Sequence, residues 1–138
     1  MPTFKPLYSS ISSDFAGSGF TTLGNGSTQT SDAVDNSSNL YQDYLIEIGV
    51  TGTAAVTAWI EIRVASSLDG SVYNTWESSI PIGIINFSAT PQRGAFSIVG
   101  HGGFMQCPRY FKIMVKNNTG AAFTNGTIKY VGVQIQSN

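Results

Sequence analysis

Acid–base, nucleophilic and metal chemistry need particular side chains held together, and this sequence supplies few of them. His101 is the only histidine, set in Gly100-His101-Gly102-Gly103, which reads as a flexible connector. Ser and Asp are plentiful enough for a Ser-His-Asp triad by inventory, but no Gly-x-Ser-x-Gly elbow is present to expose a nucleophile. Cys107, the only cysteine, excludes an intrachain disulfide and precedes Pro108 with no acid–base partner close in sequence, so it reads as a buried structural thiol. One histidine and one cysteine fall short of a zinc set. The carboxylates are Asp14, Asp32, Asp35, Asp43, Glu47, Glu61, Asp69 and Glu77. Glu47 and Glu61 sit on segments that read as neighbouring strands, and polar outer-face positions explain them more simply than a glycosidase pair. Asp32, Asp35 and Asn36 crowd one loop but lack the calcium-loop spacing, so turn capping is the expectation. Trp59, Trp76 and Tyr73 could form a sugar-stacking platform, although core or interface packing is the more ordinary use of such rings. No enzyme, cofactor or metal is expected.

The elements that would carry these residues read as strands. Period-two alternation recurs with Gly, Asn, Asp, Ser and Pro between segments, and no stretch shows a helical period. Tyr44, Ile46, Ile48 and Val50 make one apolar stripe, and Val56, Ala58, Ile60, Ile62 and Val64 the next, with Trp59, Glu61 and Arg63 opposite. Residues 51–55 suit a hairpin between the two. Asp69-Gly70 marks a tight turn. Val72–Trp76, Ile82–Phe87 and Gly94–Val99 follow as short strands, then Tyr110–Val115 with Phe111, Ile113 and Val115 inward. The last, Thr127–Gln136, places Val131, Val133 and Ile135 on one face. About eight short strands in a 138-residue chain argue for one all-β antiparallel sandwich, jelly-roll or immunoglobulin-like.

Residues 1–30 read differently from a sandwich domain over 31–138. The N-terminal stretch is rich in Ser, Thr, Gly and Asn with isolated apolar anchors, and it reads either as edge strands or as an arm lying on a neighbouring subunit. Phe4, Leu7, Tyr8, Phe15 and Phe20, with the out-of-phase Trp59, are the candidate partner-binding residues. Charged residues make up only 11% of the chain, so its surface can meet another protein with few ions to desolvate. A net charge of −1 with seven dispersed Lys and Arg gives no nucleic-acid footprint. Lys112 and Lys116 share a strand face that reads as solvated. No apolar run approaches the ~18 residues of a membrane span, and the opening MPTFKPLYSS lacks a secretory h-region, so synthesis in a cytoplasm is expected. The N-x-S/T sequons at Asn25, Asn36, Asn86, Asn117 and Asn125 follow from composition.

Several of these segments resemble small structural proteins of tailed bacteriophages. Ser31–Asn36 through Asn39–Tyr44 looks like their first core strand, and Ser66–Tyr73 resembles the turn after their second long strand. Arg93-Gly94-Ala95-Phe96-Ser97-Ile98 is similar to another of their segments. Pro108–Ile113, Asn117–Ala122 and Lys129–Val133 resemble their closing hairpin. The resemblance implies a virion protein assembled in the host cytoplasm. A capsid decoration or cement protein is the leading expectation: a homo-oligomer bound to the major capsid protein or to other virion proteins. A tail, baseplate or head–tail protein is the alternative, followed by a carbohydrate-binding attachment module.

Overall fold

The computed structural model describes residues 4–9, 23–51, 59–86, 92–122 and 124–137. In chain order the elements are β1 (Phe4–Tyr8), β2 (Thr28–Thr30), β3 (Val34–Asp35), β4 (Asp43–Thr51), β5 (Trp59–Ser67), β6 (Ile80–Asn86), β7 (Gln92–Ser97), α1 (Ile98–Gly102), β8 (Tyr110–Asn118) and β9 (Thr124–Ser137). They form two antiparallel sheets, ordered β1-β9-β4-β7 and β2-β8-β5-β6, with β3 pairing β8 in line with β2. Apart from the short β2–β3 link, every connection between successive strands crosses from one sheet to the other except β5 to β6. That winding is a jelly roll. It removes the immunoglobulin-like option, in which the first two strands pair within one sheet.

The alternating stripes create the core. Tyr44, Ile46, Ile48 and Val50 of β4 face Ile60, Ile62 and Val64 of β5 and Phe111, Ile113 and Val115 of β8, and all of them are buried. Each such side chain contributes roughly 1.5–3 kcal/mol on burial. Phe96 closes the β6–β7 side by lying where two glycines leave room. A Cβ on Gly83 would stand 2.0 Å from its ring, and one on Gly94 2.8 Å. Between β2 and β3 the chain bulges at Ser31, whose N–H donates to the Ile113 carbonyl while its Oγ accepts from the Ile113 N–H.

Several sequence expectations are corrected here. β4 and β5 lie in different sheets and do not pair as a hairpin; residues 52–55 of the expected turn lie outside the described residues. β8 and β9 are likewise split, so the C-terminal segments are not a hairpin either. Val72–Trp76 is irregular, because it forms part of the β5–β6 connection and pairs with no described strand. The strand expected over 94–99 ends at Ser97, which caps α1: its Oγ accepts from the Gly100 N–H at 2.8 Å. His101 therefore lies in a helical turn and not in a flexible connector. In β9 the inward face is the other one. Ile128 is buried and Tyr130 packs on the core, whereas Val131 and Val133 are only partly covered. Gly132 permits this, because the Tyr41 ring fills the space where its Cβ would be.

β9 is also longer than its neighbour. It pairs with β4 from Thr124 to Val133 and with β1 from Val133 to Ser137, so β1 and the end of β9 form a two-stranded ribbon past the start of β4.

Candidate partner-binding surface

The outer face of the sheet containing β4 is built from residues out of phase with the core stripe. Strand register sets them in rows: Tyr8 beside Val133, Val131 beside Leu45, and Lys129 beside Glu47 and Ala95. Tyr8 is 55% exposed and Leu45 38%. Leu45, Ala95 and Val131 border a shallow depression of about 440 Å³ that Glu47, Arg93 and Lys129 rim. Arg93 and Glu47 form an exposed ion pair at 3.3 Å, of a kind that adds little stability. The face is an apolar strip bordered by Glu47, Arg93 and Lys129 at one end and by Asp43, which stands in the Tyr8–Val133 row and is held by Ser97 and Val99, at the other.

The outer face of the other sheet is partly roofed by the β5–β6 connection. Arg63 ties this connection down: its Nε meets Glu61 Oε1 at 2.6 Å and its Nη1 donates to the Trp76 carbonyl at 3.0 Å. Trp76 lies under the Arg63 guanidinium and near Lys116, and Lys112 Nζ stands 4.5 Å from the Tyr73 ring centre. The Lys112–Lys116 face is therefore overlaid by aromatics and is not simply solvated. The turn that starts the roof is held by Asp69, whose carboxylate accepts from the Ser71 and Val72 N–H groups and from Ser67 Oγ. Those bonds keep its carboxyl below the usual range. Gly70 takes φ 77° within the turn.

The candidate chemical groups meet at one corner without forming a catalytic set. Ser97 Oγ donates to Asp43 Oδ2, while His101 Nδ1 accepts the Ser97 backbone N–H at 2.8 Å. The Ser97 hydroxyl proton is thus directed to Asp43, and the imidazole nitrogen nearest the serine is occupied by backbone. Serine, histidine and aspartate cap a helix turn here instead of relaying a proton. Burial, with a further push from the Asp43 charge, raises the Cys107 thiol to about 12. Asn36 is buried, exchanging hydrogen bonds with the Tyr41 backbone, and Asp35 accepts from the Ser37 N–H. Asp35 ends strand β3, so Asp32, Asp35 and Asn36 do not share one loop as expected; Asp35 and Asn36 cap the turn that runs on to Tyr41, and among the described residues no group of three or more His, Cys, Asp or Glu gathers as a metal set. Glu47 and Glu61 belong to different sheets, each with its own arginine.

Compared with known proteins, the chain matches no family model and no curated protein.

Of the six residues singled out from sequence, Tyr8, Leu7 and Trp59 do not converge. Tyr8 belongs to the apolar strip. Leu7, 44% exposed, takes the opposite face of the ribbon, and Phe4 begins the same strand. Trp59, 45% exposed, stands on the outer face of the other sheet. Phe15 and Phe20 lie outside the described residues. Sequence reasoning missed Leu45, Val131 and Val133. The signal was present: Leu45 falls on the polar side of an otherwise regular alternation, and β9 carries apolar residues at both parities.

Proposed function

We propose that this chain is a structural protein of a tailed-phage virion, a capsid decoration or cement protein that binds the shell through the outer face of the β1-β9-β4-β7 sheet. The observation that carries the reading is the strip Tyr8, Val133, Val131 and Leu45 with its border of Glu47, Arg93 and Lys129. Such a face buries apolar area at its centre and keeps its ions at the rim. The resemblance of residues 31–136 to phage structural proteins, and a surface poor in charge, support the same reading.

The test is occupancy on shells from which the protein has been removed. Leu45→Asp and Val131→Asp should fold, because both side chains point away from the core, and should bind at least about tenfold more weakly. Undiminished occupancy of both variants would overturn the assignment of the face. Copy number in purified virions separates the locations: hundreds of copies fit the shell, a few to some tens the tail or neck.

A further inference from the structure

We propose that the opposite outer face of the sandwich carries a binding platform for neutral sugars, centred on Trp59. Trp59 opens β5 and is paired directly with Asn86 of β6 on one side and Asn118 of β8 on the other. Cross-strand partners point to the same face, so the register sets two carboxamides on either flank of a 45%-exposed indole. Strands lie about 4.8 Å apart, so the row spans about 10 Å, the reach of roughly two linked pyranose rings.

Each part suits that ligand class. An indole face takes the C–H face of a pyranose, and its cost in side-chain freedom is small. A carboxamide offers a donor and an acceptor side by side, which matches a pair of neighbouring hydroxyls. Neither Asn86 nor Asn118 has a side-chain hydrogen bond to a described residue. The next row adds Ile84, 58% exposed, beside Glu61. Glu61 is paired with Arg63 and the Lys116 ammonium leans on the Trp76 ring one row away, so the Trp59 row itself is flanked by uncharged groups only. That row suits a neutral glycan. Packing into the core is excluded for Trp59, whose neighbours Ile60 and Ile62 hold the inward face of the strand.

The site stands apart from the proposed capsid-binding face, since the outer faces of two packed sheets look away from each other, and it fails or survives independently. The test is a titration of the intact protein with maltotetraose, cellotetraose and mannotetraose to about 10 mM, followed through side-chain N–H resonances. The chain has two indoles, and Trp59→Phe identifies which signal is which. Saturable shifts of the Trp59 indole and of the Asn86 and Asn118 carboxamides are expected with at least one sugar. Trp59→Ala should weaken that binding at least tenfold, and Asn86→Ala and Asn118→Ala should weaken it while thermal unfolding stays unchanged. Absence of shifts with all three sugars, or binding retained by Trp59→Ala, overturns the proposal. So does loss of shell occupancy in Trp59→Ala, which would make the row a protein contact.

Discussion

At the scale of single residues, polar side chains serve as structural fasteners. Asn117 is wholly buried, and its Nδ2 donates to the carbonyls of Leu23 and Ala121 while Oδ1 accepts from Thr119. One carboxamide thereby joins the segment before β2 to the turn after β8, and a buried amide left unpaired would cost about 1–3 kcal/mol. Two of the sequons, at Asn117 and Asn36, are consumed by such roles and are buried. Cys107 illustrates the same economy. With its thiol raised to about 12, almost none of it is thiolate at pH 8, and the thiolate is the reactive form. Iodoacetamide at pH 8 should therefore modify Cys107 at least about tenfold more slowly in the native protein than in guanidinium, where the thiol returns to its ordinary value near 8.5. Equal rates in the two states would show that the thiol is not shielded by the fold.

At the scale of elements, β9 makes the sharpest claim. Ile128 faces the core and Val133 faces out, so the two positions should answer oppositely to charge. Ile128→Asp should cost several kcal/mol, enough to threaten folding, whereas Val133→Asp should unfold within about 1 kcal/mol of the parent in urea. A large loss at Val133 would restore the face expected from sequence. The reversal has a physical reason. β4, β5 and β8 each carry one dominant apolar parity, interrupted by Leu45, Trp59 and Met114, and Tyr44–Val50, Ile60–Val64 and Phe111–Val115 were legible from alternation alone. In β9 both parities are apolar, because one face serves the core and the other the exposed strip, and alternation cannot rank two such faces. Strand pairing was illegible for a different cause. A hairpin is written in its turn residues, but a crossing between sheets is decided by which distant strand lies alongside. The helical turn at Ile98–Gly102 is too short to show a period, although Ser97 is a proper cap. Of the candidate site, exposure at Trp59 was readable from its phase, and its carboxamide flanks were not, since they arrive from β6 and β8.

At the scale of the whole molecule, the sandwich separates two surfaces of different chemistry. The proposed shell contact is apolar at its centre, with few ions, so its affinity should fall only slightly, less than about threefold, between 50 mM and 500 mM salt, where an electrostatically driven complex weakens steeply. Sedimentation of shells with bound protein across that range would check it, and a steep loss would assign the contact to Glu47, Arg93 and Lys129 in place of Leu45 and its neighbours. The strand order also governs when the protein can exist. β8 and β9 occupy interior places in the two sheets, between β2 and β5 and between β1 and β4. During synthesis β8 and β9 emerge after the other described strands, so β1, β4 and β5 must wait with open edges until these central neighbours arrive. Phe4 finds Ser137 only after every strand between them has been made. Such non-local closure places folding in the millisecond-to-second range, and the waiting intermediate exposes strand edges to other nascent copies. In β1, Pro6 brings no N–H to a ladder, which makes that strand a poor template for another copy in the interval before β9 arrives.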